Sequence, residues 1–254
     1  QLAFIAMAAP GIVVFGLVFL LREPRRRARP HARTTAVGLR ATFEFVRADW
    51  FVYFSLIVGA ALSAIGLFGM YAWVPALFTR VYGWPSGQIG LVLGLLTIVL
   101  GTAGLFLSGS YAGEFIRRGA DIVYQRLMML SVACAIVPGA ISMTAESALA
   151  MWACIGAVIF FLGMPFGLAQ AAIVAITPNH LRAKLIAVYL VVFNFFGFGL
   201  GPAAVAGMSD FVFADAAAVN RSIGIVIVAS GVASVLLLAL GVKQYEEMGR
   251  RANE

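Results

Sequence analysis

Gln170 and Asn194 carry hydrogen-bonding chemistry into stretches that are otherwise apolar. A primary carboxamide offers two donors and an acceptor oxygen. In hydrocarbon it costs several kcal/mol unless it is paired, or bathed by water in a cavity. Helix rise puts Asn194 about 15–18 Å into its apolar run, near the midplane, and Gln170 about 10 Å from one end of its own. Two uses follow: hydrogen bonding between helices, or lining a substrate cavity. Ser63 and Thr97 are hydroxyls set in stripes of small residues. One stripe is Ser55, Gly59, Ser63, Gly66 and Met70; the other is Gly90, Gly94, Thr97, Gly101, Gly104 and Ser108. The spacing keeps each stripe roughly on one helix face. Small residues let membrane helices approach closely. Packing is therefore the expected role of both hydroxyls, with ligand contact as the alternative.

Other chemistry is missing. Cys134 and Cys154 lie inside apolar runs, too few for a disulfide framework or a zinc site. His31 and His180 lie in basic loops without a carboxylate neighbour. A membrane transferase needs clustered His, Asp or Ser near an interface. No catalytic residue, metal ligand or cofactor is therefore expected. No Asp, Glu, Lys, Arg or His lies deep in any apolar run: Asp49 and Glu114 stand at one end, Asp210 and Asp215 at the other. An ion-coupling carboxylate needs a midplane position. Any proton or ion gradient must then couple through residues outside this sequence.

The elements that hold these residues are membrane helices. The 254 residues are 62% hydrophobic and 11% charged, too few charges to cover a soluble surface. A helix crosses roughly 30 Å of hydrocarbon in about 20 residues. Seven runs meet that length: 2–21, 50–79, 81–113, 127–145, 147–179, 185–209 and 222–242. Irregular backbone cannot face lipid, and no run alternates with period two, so the runs are helices and not barrel strands. The net charge of +7 sits between the runs, in no aromatic-interleaved patch, which argues against nucleic acid. Residues 2–21 lack the basic start and cleavage site of a signal peptide, and the chain reads as one that begins mid-protein.

Sixteen of the eighteen Lys and Arg residues fall on one side of the implied topology. They lie in the 22–47 linker, at Arg117, Arg118 and Arg126, at Arg182 and Lys184, and at Lys243, Arg250 and Arg251. Only Arg80 and Arg221 fall on the other side. The positive-inside rule makes the linker and the C-terminus cytoplasmic. Short loops and an Arg/Ala-rich composition point to a multi-pass protein of a bacterial inner membrane. Within the linker, Ala36, Leu39, Phe43, Val46 and Trp50 recur on one face and Arg33, Arg40 and Arg47 on another. That pattern is an interfacial amphipathic helix. It serves as a topological anchor, with a regulatory lipid site as the alternative. Gly163-Met164-Pro165-Phe166-Gly167 and Gly197-Phe198-Gly199-Leu200-Gly201-Pro202 interrupt the fifth and sixth runs. Pro165, Gly197, Gly199, Gly201 and Pro202 are the expected gating hinges, with plain close packing as the alternative.

Ala9-Pro10-Gly11 in a terminal apolar helix, its end at Leu21-Arg22-Glu23-Pro24, a long basic linker and six further helices resemble the major facilitator superfamily. The resemblance implies an all-α membrane protein: the sixth helix and helices 7–12 of a twelve-helix fold. Residues 1–21 close the N-terminal half, 22–48 are the linker, 49–242 the C-terminal six-helix bundle and 243–254 a cytoplasmic tail. The stretch from Gly109 through Glu114 to Arg117 and Arg118 looks like the family's cytoplasmic loop motif. It departs from that motif at Gly113, where Asp is usual, and at Ile116, where Gly is frequent. Thr177-Pro178-Asn179-His180-Leu181-Arg182-Ala183-Lys184, then Asn194, Gly197 to Pro202 and Ser209-Asp210, resemble the Spinster-like branch, which exports lysolipids and sphingoid phosphates.

The resemblance implies a monomeric secondary transporter working by alternating access, with this chain paired to an N-terminal six-helix half. Phe166, Gln170 and Asn194 would contact substrate, together with Ser63 and Thr97, with Tyr71 and Trp73 near the outer mouth. Twenty Phe residues and few fixed charges suit an amphipathic or lipid-like substrate among membrane lipids better than a sugar. A carrier of organic anions, a drug efflux pump and a non-transporting receptor on the same fold are the alternatives.

Overall fold

The computed structural model describes Gly11, Phe15, Gly16 and residues 39–117, 123–215 and 218–253. Most of the first expected span and of the basic linker, and Arg118, lie outside these residues. The chain divides into two units, 1–36 and 37–254. In the first, the three described residues are helical. The second holds a short helix and the six remaining spans.

α1 is Leu39–Ala48 and α2 is Trp50–Val81. α3 runs through Ser86–Leu96, a π-helical turn at Thr97–Gly101, and Thr102–Arg117. α4 is Val123–Ser142 and α5 is Ala148–Ile176. α6 starts as Asn179–Asn194, passes through a π-helical segment Phe195–Leu200 and a helical Gly201–Gly207, and ends in a second π-helical segment, Met208–Phe213. α7 is Val219–Asn253. The described residues contain no strand.

Hydropathy located each of the six described spans, but helix continues beyond apolar sequence wherever polar residues are good helix formers. α6 begins at Asn179, not at 185, with His180, Arg182 and Lys184 in its first turns. α7 does not stop before Lys243: Glu246, Glu247, Arg250 and Arg251 continue it. Arg126 of α4 forms an ion pair with Glu246, and Arg251 reaches Glu247 across one turn at 4.0 Å. The expected tail is therefore helix for most of its length.

α2 is the centre of the bundle. It packs against α6 and α7 about equally and less extensively against α5. The stripe Ser55, Gly59, Ser63, Gly66 and Met70 is buried along its length. A side chain at Gly59 would strike Leu238 of α7, and one at Gly66 would strike Ile227 and Ser230. Ser234 of α7 donates to the Gly59 carbonyl at 2.6 Å. Gln125 of α4 is fully buried and donates from Nε2 to the Leu238 carbonyl at 2.8 Å. These bonds tie both α4 and α2 to α7.

At the end with few basic residues, Gly83 turns the chain with φ +67, and the Trp84 amide folds back to the Phe78 carbonyl. Phe78 stacks on Trp152 with centroids 3.9 Å apart. The Tyr82 hydroxyl donates to the Ala145 carbonyl at 2.8 Å. Burial pushes the Tyr82 phenol up from its ordinary pKa, which keeps this donor protonated. At the basic end, Tyr53 meets Thr177 hydroxyl to hydroxyl at 3.0 Å, and Tyr245 bonds the Ala172 carbonyl.

Candidate functional site

Five of the expected site residues, Phe166, Tyr71, Thr97, Gln170 and Asn194, lie on or beside one aromatic ladder that crosses α5, α6, α2 and α3. Phe166 of α5 meets Phe193 of α6 with centroids 5.4 Å apart. Phe193 meets Phe68 of α2 edge-on at 6.1 Å. Phe68 contacts Phe198 at 4.1 Å and Tyr71 at 6.4 Å. Tyr71 reaches across to Thr97 of α3, hydroxyl to hydroxyl at 3.2 Å. Edge-on and tilted ring pairs of this kind add about 0.5–1.5 kcal/mol each beyond their buried area. Phe68 and Phe193 join the expected residues and were not singled out from sequence. Nothing distinguishes two Phe among twenty until helix faces are known.

The two carboxamides do not join helices. Gln170 donates from Nε2 to the Phe166 carbonyl at 3.1 Å, within its own helix. Asn194 does the same with Leu190 at 2.7 Å. Asn194 is exposed on this bundle and Gln170 half-buried. Neither carboxamide forms a described bond to another helix of this bundle. The Phe166 carbonyl also accepts from the Tyr189 hydroxyl at 3.3 Å, which fixes α5 against α6 at the ladder. Pro165, one residue earlier, has no N–H to give the Phe161 carbonyl one turn back, a weakened point in an otherwise continuous α5.

Thr97 opens the π-helical turn of α3, and Asn194 immediately precedes the π-helical segment of α6. Such turns carry one extra residue per turn and often mark functional positions. Gly197, Gly199 and the exposed Phe195 and Phe198 lie in the second of them. Gly201 has another reason to be glycine. A side chain there would come within 2.8 Å of the Gly69 amide and the Ile65 carbonyl of α2. Pro202 follows, and its carbonyl accepts from Trp73 Nε1 at 3.0 Å. Trp73 thus pins α2 to α6 at Pro202, and Arg80 lies 6.0 Å from its ring centroid.

The structure does not bring Ser63 into this group. It is 1% exposed on the α7-facing stripe, with its hydroxyl turned to the Ala60 carbonyl at 2.7 Å. Packing, the use its small-residue stripe already suggested, is what its surroundings allow. Gly109 of the loop motif is exposed on α3, the side chain of Arg117 lies outside the described residues, and so does Arg118. Among the described residues no three His, Cys, Asp or Glu side chains converge.

Six described helices are long and apolar enough to cross a membrane. The sequence profile of the Major Facilitator Superfamily matches residues 1–206. This chain belongs to the Major Facilitator Superfamily. The chain is therefore a multi-pass membrane protein. Two solved structures share the fold: a bacterial homologue of the human lysosomal transporter Spinster, in its inward-facing unoccupied and occupied conformations. The first is 22% identical, with a TM-score of 0.59 over 98% of this chain and 58% of that one. The second is 22% identical, with a TM-score of 0.56 over 97% of this chain and 57% of that one. This superfamily chain thus spans little more than half the length of those structures. No curated protein matches the sequence.

Proposed function

We propose that this chain forms one wall of the substrate path in a secondary transporter that moves an amphipathic or lipid-like molecule by alternating access. The observation that supports this is the aromatic ladder, with Gln170 and Asn194 beside it at or near interrupted helix. An apolar wall with a few placed hydrogen-bonding groups suits a ligand with a long apolar part and a small polar part. The Spinster-like structures are of a lysosomal transporter's bacterial homologue, and that likeness favours the same reading. The second wall would be an N-terminal six-helix half of the same protein, working as a monomer. Proton coupling would lie there, since no Asp, Glu, Lys, Arg or His stands at mid-span in α2 to α7. The basic end would face the cytoplasm of a bacterial inner membrane.

The test is flux of a labelled lysolipid through the full transporter in proteoliposomes. Gln170→Ala and Asn194→Ala should each lower flux roughly tenfold, the loss of about 1.4 kcal/mol of binding, while expression is unchanged. Full flux in both variants sinks the assignment. Arg80, on the Trp73 ring at the sparsely charged end, supports the organic-anion alternative. Competition by short-chain carboxylates that is lost in Arg80→Gln would favour that second reading.

A further inference from the structure

A cavity of about 490 Å3 opens at the basic end, where α1 meets α2, α5 turns into α6, and the last turns of α7 pass by. Arg182 and Arg251 line it, with Asp49 opposing them and Asn179, Ile176 and Met248 completing its wall. It sits at the ends of two apolar spans: Asp49 directly precedes Trp50, the first residue of α2, and Ile176 is the last of α5. Trp50 is 57% exposed there, as an aromatic at a headgroup boundary is.

Arg182 is already oriented. Its Nε–H donates to the Thr177 carbonyl at 2.8 Å, and the Thr177 hydroxyl is in turn held by Tyr53. That bond uses one of five guanidinium donors and leaves the terminal fork for another partner. Among the described residues Arg182 forms no ion pair. Arg251 holds Glu247 only loosely, at 4.0 Å with both side chains more than 60% exposed, so it can turn to a ligand at little cost. Arg182 and Arg251 line the cavity against the single lining carboxylate of Asp49, with Glu247 outside the lining, and guanidinium forks match phosphate oxygens. Ile176 and Met248 give the same cavity an apolar side.

We propose that this cavity holds the phosphate of an anionic phospholipid headgroup and fastens α1, the α5–α6 turn and the end of α7 to the membrane surface. The site needs only a chain that crosses a membrane, so it stands apart from the transported substrate.

The full transporter in nanodiscs tests it. Phosphatidylglycerol titrated into phosphatidylcholine discs should raise the melting temperature to saturation. Arg251→Gln should move the half-saturating phosphatidylglycerol fraction up roughly fivefold, the loss of one exposed charge contact. Asp49→Asn should move it down by about threefold, because the opposing carboxylate is gone. Arg182→Gln should abolish the response, but it also breaks the Thr177 bond, so the other two variants carry the test. The opposite signs of the Arg251 and Asp49 effects cannot arise from general loosening of the fold. The proposal is overturned if both variants titrate like the wild type. It is equally overturned if inorganic phosphate in phosphatidylcholine-only discs reproduces the rise, since a lipid source is then unnecessary.

Discussion

Gln125 shows what a buried carboxamide does when it is structural. It is fully buried, Nε2 is bonded to α7, and Oε1 has no partner. Gln170 and Asn194 are the reverse: they bond only their own helices and stay open to the bundle surface. The two classes should respond differently to substitution. Gln125→Leu removes one interhelical bond but also an orphaned acceptor, and should change stability by less than about 1 kcal/mol. Gln125→Glu places a carboxylate among the same neighbours and should lower stability by about 3 kcal/mol. Melting of the purified transporter at neutral pH decides: equal losses in the two variants would show that the site is wet. Neither change should alter substrate affinity, because Gln125 lies on α4 and bonds α7, neither of which carries a ring of the ladder.

At the scale of elements, the glycines of α6 divide into two kinds. Gly201 crosses α2 at Gly69 with no room for a methyl group, whereas the nearest atom to a side chain at Gly199 is 3.8 Å away. Gly201→Ala should therefore jam the α2–α6 crossing and cost about 2 kcal/mol or more. Gly199→Ala should leave stability within about 1 kcal/mol, yet stiffen the π-helical segment and slow transport. Thermal melting and flux measured on both variants separate packing from hinge; a Gly199→Ala protein with full flux refutes the hinge role. The sequence showed the Gly/Pro run but not this division. A run of small residues has the same composition whether the space beside it is filled or open. Ser63 and Thr97 make the same point. Both sit in small-residue stripes, but α7 covers the first stripe, while Thr97 stands exposed where a π-helical turn begins. The spans themselves were legible, because lipid demands about 20 apolar residues from each. Their faces were not, because a helix that is apolar on every side carries no stripe to orient it.

At the scale of the molecule, burial is uneven. Two thirds of the apolar window of α2 is buried, 67%, against 28% for α6 and 11% for α3. α3 and α6 are also the spans in which π-helical turns interrupt the helix, and their exposed residues include Ile98, Phe106, Phe195 and Phe198. Exposure to lipid is no penalty for such side chains, so their surfaces alone do not call for a partner. The exposed carboxamide of the site does. Asn194 faces outward from α6 with one bond, from Nδ2 to the Leu190 carbonyl, and a carboxamide otherwise open to hydrocarbon costs a few kcal/mol unless protein or water meets it. The wall proposed here therefore works only when a second six-helix half stands against α3 and α6 and encloses water between them. The chain reconstituted alone should insert and remain helical, but show no saturable flux. Co-reconstitution with an N-terminal six-helix half should give flux, and single cysteines at Ile98 and Phe198 should then cross-link to that half. Cysteines at Leu130 of α4 and Leu236 of α7, equally exposed but on the other helices, should not. Cross-linking from Leu130 and Leu236 in place of Ile98 and Phe198 would put the substrate path on the opposite side of the bundle and remove the ladder from it.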